Sequence, residues 1–228
     1  MRSVGYAFAI VAAIAAASQI AFDLSNAGRP AVFLIMGAPT VAIAAIGLVR
    51  ARRDGELREW LSVRGGDFTR GFVAAALLFG LAFAFTKLVA PPTSPQASWL
   101  ARLYLQLGDP SVLRRNVPAM VAAIVVMSVG EEIVWRGLVP SLLAPRLGSR
   151  RAWVYAAVLY ALAHAPAVWK LADPVAGPNP VLPLGALGGG LVWGLMASRF
   201  RRLLPGIFSH VLFDWTVMMM FRLWGPSV

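Results

Sequence analysis

Ser128-Val-Gly-Glu-Glu-Ile-Val-Trp-Arg-Gly-Leu-Val139 sets two adjacent carboxylates and an arginine inside an apolar segment that runs from Val117 to Leu143. Ionisable groups at membrane depth cost roughly 2.5 kcal/mol or more each, so they are rare there and usually functional. On a helix, Glu132 and Arg136 are four residues apart and share a face, so they can pair. Glu131 points about 100° away at 3.6 residues per turn and has no such partner. Glu132 is therefore expected to be held, and Glu131 to be available. The plainer alternative is a buried ion-pair cluster that only pins helices together.

Outward from this stretch, the 228 residues are 59% hydrophobic and only 14% charged. Soluble domains are about 45–50% apolar and about 25% charged. The expected fold class is therefore all-α: a polytopic transmembrane helical bundle, a single integral membrane domain over residues 1–228. The formal net charge of +11 suggests nucleic acid as a partner. That reading fails, because most of the basic residues sit between apolar runs, where membrane topology explains them. There is no cysteine, which removes disulfides, thiol catalysis and cysteine-bound metals together.

Seven spans are expected. Val4 to Phe22 is the first; Ala15-Ala-Ala-Ser18 would suit a signal-peptide cleavage site, but the run is long for a signal core and fits a bilayer of roughly 30 Å. Ala31 to Val49 is the second, with Pro39 inside it. A basic loop from Arg50 to Arg70 leads to the third, Phe72 to Val89, which Pro91-Pro92 ends. Trp99 to Leu107 is too short and too mixed to cross, and predicts an interfacial helix near 97–107. Val117 to Leu143 is the fourth span, Ala152 to Trp169 the fifth and Leu184 to Ser198 the sixth. The sixth is rich in glycine, so close helix approach puts it near the centre. Leu203 to Leu223 is the seventh. With the Arg50–Arg70 loop inside, thirteen of the 21 basic residues fall on the inner side and seven on the outer, leaving Arg136 in the membrane. This bias puts the amino terminus in the cytoplasm and the carboxyl terminus outside.

The chain has two histidines, His164 and His210, and both fall inside expected spans. His210 and Asp214 are four apart on one face. At about 1.5 Å per residue, Glu131, His164, His210 and Asp214 lie between roughly 10 and 18 Å from the inner side, on three helices. Such a set suits hydrolysis. A carboxylate takes a proton from water and later returns it to a leaving amine, while a histidine holds the water. A second histidine faces the oxyanion. The same residue types also suit zinc, with Glu131, His164 and His210 as ligands around an open water position. No His-Glu-x-x-His pattern and no nucleophile-elbow serine is present.

Glu131-Glu132-Ile-Val-Trp-Arg136 resembles the Glu-Glu-x-x-x-Arg signature of the CAAX-protease and bacteriocin-processing (Abi) family of intramembrane endopeptidases. Tyr160-Ala-Leu-Ala-His164 resembles its second motif, Phe-x-x-x-His, and His210-Val-Leu-Phe-Asp214 its third, His-x-x-x-Asn or Asp. The motifs occur in family order on separate spans, within a core from residue 117 to 223. The resemblance implies Glu131 as the base that activates water, His164 as its helper, His210 and Asp214 on the oxyanion side, and Glu132 and Arg136 as supporting residues. It implies a glutamate-dependent enzyme with no cofactor, zinc being the alternative. Tyr160 in place of Phe is expected to change packing only. An ionised Asp214 could not donate to an oxyanion, so it is either protonated or orients His210.

The resemblance implies a membrane-anchored protein or peptide as substrate and the lipid bilayer as surroundings. Prenylated proteins are the eukaryotic theme of the family, and bacteriocins, regulators or carboxyl-terminal sorting anchors the wider one. The high Ala and Arg content suggests a GC-rich bacterial source, hence an inner-membrane location and no prenylated substrate. The rival class is a non-catalytic scaffold, or a proton-coupled transport or relay protein that uses the same buried charges.

Overall fold

The computed structural model describes residues 2–108 and 116–219, and among them there is no β-strand. The helices are α1 (Arg2–Ala21), α2 (Ala31–Arg53), α3 (Leu57–Trp60), α4 (Asp67–Leu88), α5 (Ala97–Leu107), α6 (Val117–Glu132), α7 (Val139–Leu147), α8 (Ser149–Ala163), α9 (Pro166–Lys170), α10 (Val181–Phe200) and α11 (Leu204–Met219). A π-helical segment, Ile133–Leu138, joins α6 to α7 without a break. Six stretches are long and apolar enough to cross a membrane, the longest being Val117–Leu147. The seventh expected span corresponds to α11, described over 16 residues; its course from residue 220 to Leu223 lies outside the described residues.

The rod of α6, π-segment and α7 is the axis of the bundle. Helices α2 and α11 pack along α6, α2 and α10 meet the π-segment, and α1 and α8 pack along α7. Helix α11 also lies against α4, and α10 against α8. Lipid is as apolar as leucine, so size rather than hydrophobicity selects the packed faces. In α1 the buried positions Ala7, Ile10, Ile14, Ala17 and Ala21 recur every three to four residues, while Tyr6, Phe8 and Ile20 face outward. At Gly71 of α4, an added Cβ would come within 2.8 Å of both the Pro205 carbonyl oxygen and Phe208 Cδ1, so glycine is what lets α4 and α11 touch.

The interfacial helix expected near 97–107 is α5. Its 11 residues span about 16 Å, too little to cross. It is tied across the end of the bundle that is poor in arginine. Gln106 Nε2 donates to the carbonyls of Ala21 (2.7 Å) and Asp23 (3.1 Å), Tyr104 donates to that of Val217 (2.8 Å), and Asn179 Nδ2 donates to that of Trp99 (2.8 Å). At the same end Lys170 donates to Asp23 Oδ2 (2.9 Å), and with Ser25 it holds the Asp23 carboxyl well below the usual carboxylate range. At the arginine-rich end, Asp67 opens α4 five residues before the expected start at Phe72. Arg202 clamps it through Nε and Nη2, with 6% of the arginine side chain and none of the aspartate's exposed. That pair closes the gap between α4 and the turn leading into α11.

Two further differences concern the fifth expected span. It is not one helix: α8 stops at Ala163, His164 caps it, and α9 begins at Pro166. The cause is Pro166, which has no N–H to bond the Leu162 carbonyl and whose ring crowds it, so the helical ladder stops there. His164 thus sits at a helix end rather than in a helix interior.

Candidate active site

The glutamate stretch delivers its side chains at the junction of α6 with the π-segment. π-Helical turns are uncommon and cluster at functional sites. Glu132 is fully buried, and its Oε1 lies 3.1 Å from Arg136 Nη1 and 3.0 Å from His210 Nδ1. Its other oxygen abuts the first turn of α11, where a Cβ on Gly206 would come within 2.7 Å of Oε2. The positive end of a helix dipole favours a carboxylate there. The Arg136 guanidinium is sandwiched between aromatic rings, 4.6 Å from the Tyr160 centroid and 4.9 Å from that of Trp193. Such cation–π contacts are most favourable where water is excluded.

His210, on α11, is fixed on three sides. Its ring stacks on Trp193 with centroids 3.8 Å apart. Nδ1 faces Glu132; Nε2 lies 3.4 Å from Asp214 Oδ2 and 3.8 Å from Glu131 Oε2. Asp214 Oδ2 also accepts a hydrogen bond from Ser128 Oγ at 3.2 Å. In this arrangement Asp214 Oδ2 accepts from Ser128 and faces His210 Nε2.

Glu131 is held as well. The Tyr160 hydroxyl donates to its Oε2, so Tyr160 does more than pack. The physical reason is the phenol oxygen, which a phenylalanine lacks and which needs a partner when buried. His164 is linked to the same residue. Its backbone N–H bonds to Ala161, one residue short of the helical pattern, which frees the Tyr160 carbonyl. His164 Nδ1 lies 2.9 Å from that carbonyl oxygen. A carbonyl only accepts, so Nδ1 carries the proton, and in the neutral ring Nε2 presents its lone pair. The His164 and Tyr160 rings meet edge to face, 4.9 Å apart.

His210 Nε2 thus faces both Glu131 and Asp214. Glu132 and Arg136 stand behind His210, and His164 reaches Glu131 through Tyr160. The cluster opens where Asp214 keeps 30% and Glu131 10% of its side-chain surface exposed. As a zinc site, Glu131, His164 and His210 do not form a ready ligand set. Both His210 nitrogens face carboxylates, and among the described residues no group of three or more His, Asp or Glu side chains is disposed to hold an ion. Sequence reasoning missed Trp193, Ser128 and the Tyr160 hydroxyl. Ser128 could have been found, since it lies one turn before Glu131 on the same helix. Trp193 gave a fainter signal: a bulky ring flanked by Gly189, Gly190 and Gly194.

Neither the curated proteins nor the solved structures contain a match to the chain. Residues 113–216 match the family model described as type II CAAX prenyl endopeptidase Rce1-like. That stretch holds every residue of the cluster, from Ser128 to Asp214. The match covers a little under half of the chain and is consistent with the resemblance of its three motifs to the CAAX-protease and bacteriocin-processing family of intramembrane endopeptidases.

Proposed function

We propose that the chain hydrolyses a peptide bond near the membrane-embedded or carboxyl-terminal part of a membrane-anchored protein or peptide, with Glu131 as the base that activates water. The observation that carries this reading is the asymmetry of the Glu131 carboxylate. Oε2 accepts from Tyr160 and faces His210, while the side chain keeps an exposed edge. Glu131 Oε1 takes a proton from a water whose other hydrogen His164 Nε2 accepts. The water oxygen bonds to the scissile carbonyl carbon, and the carbonyl π pair moves onto oxygen. His210 Nε2–H donates to that oxyanion, with Glu132 and Asp214 orienting the ring. On collapse the C–N bond breaks, and the proton held by Glu131 passes to the leaving nitrogen. Every step uses the chain's own residues, and no cofactor is proposed. The proposed setting is a bacterial inner membrane, with the amino terminus cytoplasmic and the carboxyl terminus outside.

The test is cleavage of fluorogenic peptides, each anchored to liposomes by a lipid at one end, by wild type and Glu131→Gln with and without chelator. The variant should be slower by about 10²-fold or more, the scale of general-base catalysis. Near wild-type cleavage by Glu131→Gln would refute the assignment. Loss of activity with chelator, restored by zinc, would replace it with the metal reading.

A further inference from the structure

The family's second motif carries phenylalanine where this chain has Tyr160, and that hydroxyl is placed on the candidate base. We infer that Tyr160 is a positioning residue for Glu131: its hydroxyl fixes carboxylate oxygen Oε2 and so presents Oε1 to the water. The inference rests on the catalytic reading of Glu131 given above.

The ring itself has little freedom. Tyr160 is 5% exposed, Arg136 lies over one face, Trp135 packs against it at 5.2 Å between centroids, and His164 meets it edge-on. The hydroxyl at its tip is therefore delivered to one place. A carboxylate at the end of a glutamate side chain turns easily about its last bond, since that torsion is broad. A donor anchored on a neighbouring helix removes this freedom. His210 Nε2 also faces Oε2, but at 3.8 Å, too far to fix it. Tyr160 acts at a second level through its main chain, because its carbonyl takes the proton of His164 Nδ1. One residue thus sets the orientation of the base and the tautomer of its partner. Only the first of these depends on the side chain.

Tyr160→Phe separates the two. It keeps the ring, its contacts with Arg136, Trp135 and His164, and the carbonyl bond to His164; it removes only the hydroxyl. Two readouts apply, both normalised to the folded fraction from gel filtration. The first is the infrared carboxyl band of Glu131, identified as the band that Glu131→Gln abolishes. The second is the split between kcat and KM on the liposome-anchored peptides. We expect the band to shift, and kcat to fall roughly ten-fold with KM within about two-fold, because a loosened base loses orientation rather than substrate binding. An unshifted band, or an unchanged or raised kcat, overturns the inference. An unshifted band does so even if the wild type cleaves no peptide. A shifted band in a wild type that cleaves nothing overturns the catalytic reading instead, so the two failures are distinguishable.

Discussion

Glu132→Gln is the sharpest test of how the site is supported. The carboxylate is fully buried, and the Arg136 and His210 side chains beside it are 1% and 4% exposed. Glutamine keeps the shape but leaves the guanidinium with no counter-charge. Breaking a buried pair from one side costs about 3–5 kcal/mol, since the survivor is stranded. The lower end applies here, because Arg136 retains its two aromatic faces. At roughly 2–4 °C per kcal/mol for a chain of this size, about 3 kcal/mol is a fall of some 6–12 °C in the unfolding midpoint. Arg136→Met should cost a similar amount, because it strands Glu132. The double variant buries neither charge and fills the aromatic sandwich with a thioether. It should therefore cost less than the sum by about 2 kcal/mol, a coupling typical of residues in contact. Thermal unfolding of the four proteins in one detergent measures the cycle. Strictly additive costs, or a Glu132→Gln midpoint equal to wild type, would show that the pair carries no coupling. Because Glu132 also faces His210 Nδ1, cleavage should fall further than the folded fraction does.

Gly71→Ala should destabilise by about 1–3 kcal/mol, the range for overpacking, since its methyl would meet a carbonyl that cannot swing away. It should also slow cleavage, because α11 carries His210 and Asp214. Gly80→Ala on the same helix has nothing within 4 Å of the new Cβ and should be neutral, so equal effects at both positions would refute the close-contact argument. Reporter fusions at the two chain ends should report opposite sides of the membrane. Finding both ends on one side would refute the count of seven spans.

The elements that follow from composition along the chain were readable in the sequence. The apolar runs mark the main helices to within a few residues, and the mixed stretch near Trp99 gives α5 as a non-crossing helix. Glu132 with Arg136, and His210 with Asp214, were readable because each pair lies within one helical turn. Contacts between distant helices leave no such period. Asp67 and Arg202 are 135 residues apart, and Arg202 looked like one more basic residue in an inner loop. The Tyr160 hydroxyl meets Glu131 only because α8 packs beside the π-segment. Trp193 lies in a span whose glycines signalled closeness but not what it is close to. The break at His164 is a different case. Pro166 stood in plain sight, and an apolar run that continued beyond it concealed the helix end.

The π-segment after Glu132 bears on how length variation is tolerated. A turn closed from residue i to i+5 holds one residue more than an ordinary turn. Helices α6 and α7 therefore keep the mutual phase of an uninterrupted helix one residue shorter. Deleting a single residue within 133–138 would let the turn tighten while the seams of α6 against α2 and of α7 against α8 stay in register. The same deletion within α6 or α7 would rotate everything beyond it by about 100°. The wide turn is thus a place where this rod can gain or lose a residue between generations without unpicking the bundle; a residue lost from 133–135 would also shorten the spacing from Glu132 to Arg136. Relatives whose carboxylate and arginine stand one residue closer would share the architecture and differ only in this slack.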